Sequence, residues 1–254
     1  MFDLINNPFG MDLDMVFNNT NTNDQLEEHE EVEQEREFKL KTTQCKVVVP
    51  TNELIRQKNT DFRVLLSIST ISNVDNNTIS GDNCRYCSLE KMDRNMDKLC
   101  KAIGISVSQF RKHLRSLLKH NTDEFKLVEK EYNDKKVQCV EINYVKGGFV
   151  IIPLEKVDRL LVGGSNNCIK LYCNLLWLCV RDGDFIEREL TQDYLAELIG
   201  LSPSTVKVVK IATTWLERSG LIKTRKVWET KTIVKNGETH SSKPISKIYY
   251  SIVV

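Results

Sequence analysis

Cys84-Arg-Tyr-Cys87 is a CxxC pair, with Cys100 and His113 further along the chain. A structural zinc site takes four ligands, ordinarily as two closely spaced pairs. The sequence has no second such pair, so neither a metal nor any other cofactor is expected. The four histidines, His29, His113, His120 and His240, have no serine or cysteine at the spacing of a nucleophilic triad. No glycine-rich phosphate loop of the GxxxxGK[ST] type occurs. The sequence therefore offers no catalytic constellation, and an enzyme is not expected. What remains is a set of cations in repeated short patterns. Ser108, Gln109, Arg111, Lys112, Arg115 and Lys119 share one segment, followed by Lys135 and Lys136. Ser204, Thr205, Lys207, Lys210 and Thr214 share another, followed by Lys231, Lys235 and Lys243. Lysine and arginine displace the counterions of a phosphate backbone, which gives affinity without reading sequence. Glutamine fits an adenine edge and arginine a guanine edge in the major groove. The chemistry these residues suit is recognition of double-stranded DNA.

Such side chains need helices to carry them. Leu190 to Ile199 is a short amphipathic run that Thr191 caps, its hydroxyl accepting from first-turn amides. Gly200 stops it, because glycine alone adopts the left-handed conformation without steric cost. Ser202 caps the next helix, Pro203 takes its first position and Gly220 closes it. Val206, Val209 and Leu216 would face the core with Trp215 beside them. Val208 and Ile211 are left on the outward side, where they would meet thymine methyls or a protein partner. Leu221 to Glu229 and Ile245 to Val254 read as strands, and Asn236-Gly237 supplies the turn chemistry of a hairpin tip. The wing contributes Lys223, Arg225, Lys226 and Lys247 as well. Upstream the pattern recurs. Met92 to Ile103 is a positioning helix, and Val107 to His120 is the helix that would enter the groove. Phe110, Leu114 and Leu117 form its core stripe. Phe125 to Glu131 and Val137 to Tyr144 form a ribbon turning at Asn133-Asp134.

The whole chain repeats in this way. Cys45-Lys-Val-Val-Val-Pro50 matches Gly148-Phe-Val-Ile-Ile-Pro153, each a β-branched run ending in proline before a helix start. Asp61 to Ile68 matches Cys168 to Leu175, an apolar helix in each case; Cys168, Cys173 and Cys179 read as core. Ile103-Gly-Ile-Ser106 matches Ile199-Gly-Leu-Ser202. A repeat of this length sets the architecture. The expected fold is α+β: two tandem winged helix-turn-helix domains, residues 40–146 and 147–254, behind a disordered acidic tail at 1–39.

Charge is distributed to match. Residues 1–38 hold 11 acidic side chains and a single basic one, Arg36, leaving 35 of the 36 basic and 24 of the 35 acidic groups to the rest, a net +11. A basic body with an acidic tail suits a protein that binds a polyanion. Within the tail, Phe2, Leu4, Phe9, Met15 and Phe17 stand among Asp and Asn as a peptide expected to dock on a protein partner. No apolar run approaches the ~20 residues of a membrane helix, no secretory leader pattern is present, and eight scattered cysteines suit a reducing cytoplasm.

Gly148 to Pro153, Leu190 to Val206 and Leu216-Glu-Arg-Ser-Gly-Leu-Ile222 together resemble the winged-helix module of replication-initiation and DnaD-like proteins of low-GC Gram-positive bacteria, their plasmids and phages. The doubled arrangement, over roughly Lys46 to Val254, is similar to plasmid Rep initiators. That resemblance implies two winged helices, one of which helps form a homodimer, and both of which contact repeated origin sites. It implies a replication or segregation protein as the partner of the tail. MarR-like and GntR-like transcription factors share the same motifs, which keeps a transcriptional regulator as an alternative. A tandem winged-helix adaptor, like those of chromosome-condensing complexes, is the alternative from another class.

Overall fold

The computed structural model describes residues 46–50, 60–74, 84–120, 124–132, 135–143, 148–181, 184–230, 232–235, 238–241 and 244–253. The acidic tail, Asn133-Asp134, Asn236-Gly237 and Tyr144 lie outside this set. The first half runs β1 (Lys46–Pro50), α1 (Phe62–Ile71), β2 (Asn73–Val74), β3 (Cys84–Ser88), α2 (Leu89–Ile103), α3 (Val107–His120), β4 (Phe125–Tyr132) and β5 (Lys135–Asn143). The second runs β6 (Phe149–Pro153), α4 (Leu154–Gly163), α5 (Asn166–Cys179), β7 (Val180–Arg181), β8 (Asp184–Phe185), β9 (Arg188–Glu189) and α6 (Gln192–Leu198), then a 3-10 turn at Pro203–Thr205. It continues with α7 (Val206–Arg218), β10 (Ile222–Glu229), β11 (Thr232–Lys235), β12 (Glu238–Ser241) and β13 (Ile245–Ile252). The class is mixed α+β, and residues 38–254 belong to one compact unit.

The halves share a sheet order. In the first, β4 pairs with β5 and β5 with β3; in the second, β10 pairs with β13 and β13 with β9, all antiparallel. Each time the strand leading into the helix pair is added to the hairpin that follows it.

The core is built on α1 and α5, most of whose side chains are buried, although Trp177 near the end of α5 is 55% exposed. Phe62, Leu65, Leu66 and Ile68 of α1, and Ile169, Leu171, Tyr172 and Leu175 of α5, have no exposed surface. The cysteines of α5 follow suit, and all seven described cysteines are buried. The two helices pack against each other. Above them β1 and β6 form a two-stranded antiparallel ribbon, with Val47, Val49, Val150 and Ile152 facing inward. Its register pairs Val48 with Ile151. Those two residues are also equivalent in the repeat, each standing two places before its proline. A strand paired with its own counterpart at the equivalent residue places a local pseudo-two-fold axis between Val48 and Ile151.

Asn166 locks the halves together at this point. Its Oδ1 accepts from the Phe62 amide at 2.8 Å, and its Nδ2 donates to the Thr60 carbonyl at 3.2 Å. Thr60 and Phe62 are both buried, so water cannot replace these bonds.

The helix boundaries follow the caps. Ser88 accepts from the Lys91 amide, which starts α2 at Leu89, three residues earlier than the apolar periodicity suggests. Thr191 accepts from the Tyr194 amide, as expected of it. Gly104 and Gly200, at φ 66° and 77°, end the first helix of each pair. Ser202 departs from expectation. Its hydroxyl lies 2.9 Å from that of Ser204 and caps no amide. Pro203–Thr205 forms a 3-10 turn, so the α-helix begins at Val206 and not at Pro203. Val209 and Leu216 are buried as expected, whereas Val206 is half-buried.

Replacing Asn166 by alanine leaves a buried amide and a buried carbonyl without their partner, and is expected to cost about 1–3 kcal/mol. Urea unfolding of the full chain measures this; a midpoint unchanged from the parent would show that the lock between the halves is elsewhere.

Candidate nucleic-acid interface

The second helix of each pair carries the candidate residues on one side and the core on the other. On α3, Phe110, Leu114 and Leu117 have no exposed surface. Ser108, Lys112, Arg115 and Lys119 recur at helical spacing on the opposite side, because residues three and four apart share a face. Ser108, Lys112 and Lys119 are exposed, while Arg111 and Arg115 are half-buried. Arg111 Nη2 lies 3.9 Å from Asp93 Oδ1 on α2, which ties it to the preceding helix. Gln109 is also engaged. Its Oε1 accepts from the Ser106 amide at 3.0 Å while Ser106 Oγ accepts from the Gln109 amide at 3.2 Å. This is a reciprocal capping box at the start of α3. A two-bond contact from Gln109 to adenine would have to open it.

On α7, Lys207 and Lys210 are exposed and Thr214 is half-buried. Ser204 is exposed and Thr205 half-buried on the 3-10 turn, with Thr205 Oγ1 donating to the Ser202 carbonyl. Ile211 stands among these polar residues with 62% of its surface exposed, and Val208 is half-buried.

The hairpins extend both faces. Lys135 and Lys136 are exposed at the free end of β5, where Lys136 Nζ meets Glu129 Oε1 at 2.8 Å; that hydrogen bond holds its ammonium above the ordinary lysine range. In the second half Lys223, Arg225 and Lys226 are exposed. Two cations of this hairpin are engaged with carboxylates. Arg225 Nε and Nη2 both donate to Glu187, and its guanidinium lies 4.6 Å from the Tyr249 ring centre. Lys247 Nζ sits 3.1 Å from Glu189 and 3.0 Å from Glu229. Trp228, on the opposite face of the hairpin, is 68% exposed. The partners of these cations could not be read from spacing, since the pairing of β9 with β13 spans sixty residues of chain. Lys231 and Lys243 lie outside the described residues, as do Phe2, Leu4, Phe9, Met15 and Phe17. Lys235 falls on β11 with its side chain undescribed.

Behind α3, Asp61 gathers three elements. Its carboxylate accepts from the Arg63 amide at 3.0 Å and from Arg63 Nη2 at 2.6 Å, and His113 Nε2 of α3 lies 3.5 Å away. Burial alone would raise the carboxyl, but the hydrogen bonds and charge of Arg63, with His113 behind them, hold it below the ordinary value of 3.8. Lys170 of α5 is buried near the same carboxylate, with its Nζ 5.7 Å from the Phe62 ring centre. Desolvation pushes its ammonium down to about 8, against the pull of Asp61.

The CxxC pair lies on β3 with both thiols buried; burial pushes the Cys87 thiol up to about 12. Among the described residues no group of three or more His, Cys, Asp or Glu is placed to hold a metal ion, and no helix is long and apolar enough to cross a membrane. No protein-family model matches the chain, and no curated protein matches it either.

Asp61 links stability to pH with a definite sign. A carboxyl lowered in the folded state stabilises fully above its unfolded value and loses that contribution as pH falls through the folded one. Asp61→Asn is expected to lower stability at pH 7 and to flatten its decline below about pH 4. Urea titrations at pH 7, 5 and 3.5 test this, and parallel curves for parent and variant would refute it.

Proposed function

We propose that this chain is a sequence-specific reader of double-stranded DNA, built as two tandem winged helix-turn-helix domains. The observation that carries the reading is the placement of Lys112 and Lys119 on α3, and of Lys207 and Lys210 on α7. All four are exposed, and each pair stands opposite a fully buried stripe on the second helix of a helix pair. That helix is the one a helix-turn-helix lays in the major groove. The hairpin after it, with Lys135 and Lys136 in the first half and Lys223 and Lys226 in the second, sits where a wing touches the phosphate backbone. The resemblance of Gly148–Pro153, Leu190–Val206 and Leu216–Ile222 to replication-initiation modules supports a plasmid or phage initiator acting at an origin. A transcriptional regulator would use the same surface. A site overlapping a promoter would mark the regulator, and an array beside an AT-rich tract the initiator.

One observation favours a second reading for the second half. Trp228 is 68% exposed on one face of the β10–β13 hairpin, and on the other face Arg225 and Lys247 are engaged with carboxylates beside the exposed Ile245. An exposed indole on one face, with the cations of the other face engaged, suits a protein partner, as in a tandem winged-helix adaptor.

Charge reversal separates these readings. Arg115 is half-buried, so the informative pair is Lys112 and Lys119, whose side chains are exposed. Lys112→Glu with Lys119→Glu is expected to weaken binding to duplex DNA at least a hundredfold. It should also reduce the slope of log affinity against log salt by about two. Gel shifts of the full chain across a salt series measure both. Unchanged affinity and slope would remove DNA from this face and leave the adaptor.

A further inference from the structure

We propose that the second half takes up an extended, positively charged peptide segment of another protein, which adds as a strand to β13 where β9 leaves it. The proposal goes beyond DNA recognition and does not rest on it.

The edge comes first. β13 is paired with β10 along its whole length, Ile245–Ile252. On its other side β9 pairs only with Tyr249 and Tyr250, and the last ladder bond runs from the Leu190 amide to the Ile248 carbonyl at 3.1 Å. The chain then turns through Thr191 into α6. Backbone groups alternate in direction along a strand, so Ser246 turns its amide and carbonyl the same way as Ile248, away from β10. The Val253 amide, which donates to the Leu221 carbonyl on the β10 side, obeys the same alternation. Among the described residues no strand meets Ser246 on the β9 side. An open strand edge is a template for another chain, and this one borders a cavity of about 520 Å³. That volume falls within the range of about 300–1,000 Å³ over which pockets hold ligands.

The lining says what kind of chain fits. Leu190, Val206 and Ile248 give it half-buried apolar walls, and Ile245 at its mouth is 49% exposed. Glu189, Asp193 and Glu229 also line it, against the ammonium of Lys247, which lies 3.1 Å from Glu189 and 3.0 Å from Glu229. Three carboxylates less one ammonium leave two negative charges in a body that is otherwise basic. This corner repels phosphate and attracts a cationic partner. The two kinds of lining fall on opposite faces of the sheet. Continuing the register of β9, a residue level with Ile248 or Ser246 shares the face of Leu190 and calls for an apolar side chain. A residue level with Lys247 or Ile245 shares the face of Glu189 and Glu229 and calls for lysine or arginine. A strand shows alternate side chains to the two faces. The segment that fits therefore alternates apolar and basic residues, with main-chain bonds to β13 giving affinity and the alternation giving specificity.

Random decapeptides displayed on phage and selected on the full chain test this, the enriched peptide then being synthesised and measured by fluorescence anisotropy. The enriched sequences are expected to alternate apolar residues with lysine or arginine. Ser246→Pro removes the amide that faces the cavity and spares the ladder to β10, in which that amide takes no part. It should weaken the peptide about tenfold. N-methylation of one of the two alternate sets of peptide amides should do the same with the protein untouched. Asp193→Lys should also weaken binding, and more at low salt than at high. The acidic residues of 1–38 attract any cationic peptide by charge, but binding of that kind is indifferent to Ser246→Pro and to N-methylation. Lys112→Glu with Lys119→Glu should leave the peptide bound, so this outcome is read separately from DNA recognition. No enrichment, enriched peptides without cations, or a peptide held equally by the parent and Ser246→Pro would each overturn the proposal.

Discussion

The β1–β6 pairing is the constraint on which the rest of the structure depends. Among the described residues neither strand has another partner in its sheet, and a five-residue strand standing alone would leave a row of backbone amides and carbonyls unpaired. Each half is therefore completed by the other. Once Val48 faces Ile151, the inward residues of both strands cover α1 and α5, and those helices meet beneath the ribbon. The position of every later element follows, since α3 and α7 pack on these same two helices.

Polar groups buried at this junction give it a single arrangement. Apolar surfaces alone would let α1 and α5 slide, because burial is non-directional. Asn166, reaching from the start of α5 to Thr60 and Phe62, allows one register only. Asp61, held by Arg63 and adjoined by His113, ties the start of α1 to α3. Directional bonds at such places fix geometry that hydrophobic packing leaves loose.

Most of the local structure was legible in the sequence, because its causes are local. Thr191, Gly104, Gly200 and Gly220 mark helix boundaries through caps and left-handed turns. Phe110, Leu114 and Leu117 reveal their face by spacing, and the hairpins announce themselves by alternation between turn residues. The repeat was legible too, through its prolines and glycines. That the repeated strands pair with each other was not, because periodicity says which face a strand buries but not what lies beside it. The same limit hid the third strand of each hairpin sheet, and with it the carboxylates of Glu187 and Glu189 that engage Arg225 and Lys247. The 3-10 turn at Pro203–Thr205 reads as α-helix in the sequence, since a proline at the first position is compatible with both. On the candidate face, Lys112 and Lys119 stand exposed as their spacing implied, and Gln109 turns out to serve the helix start.

The ribbon has a further consequence, which concerns concentration. Two separate subunits held by a five-residue strand pair and one helix contact would fall apart on dilution. Joined in one chain, the halves see each other at an effective concentration on the order of millimolar, whatever the number of molecules in the cell. Pairing is then first-order, and the two-fold arrangement persists down to a single copy. It also frees the halves from having to remain alike. In a dimer of identical subunits one substitution changes both faces at once, whereas here each half can change alone.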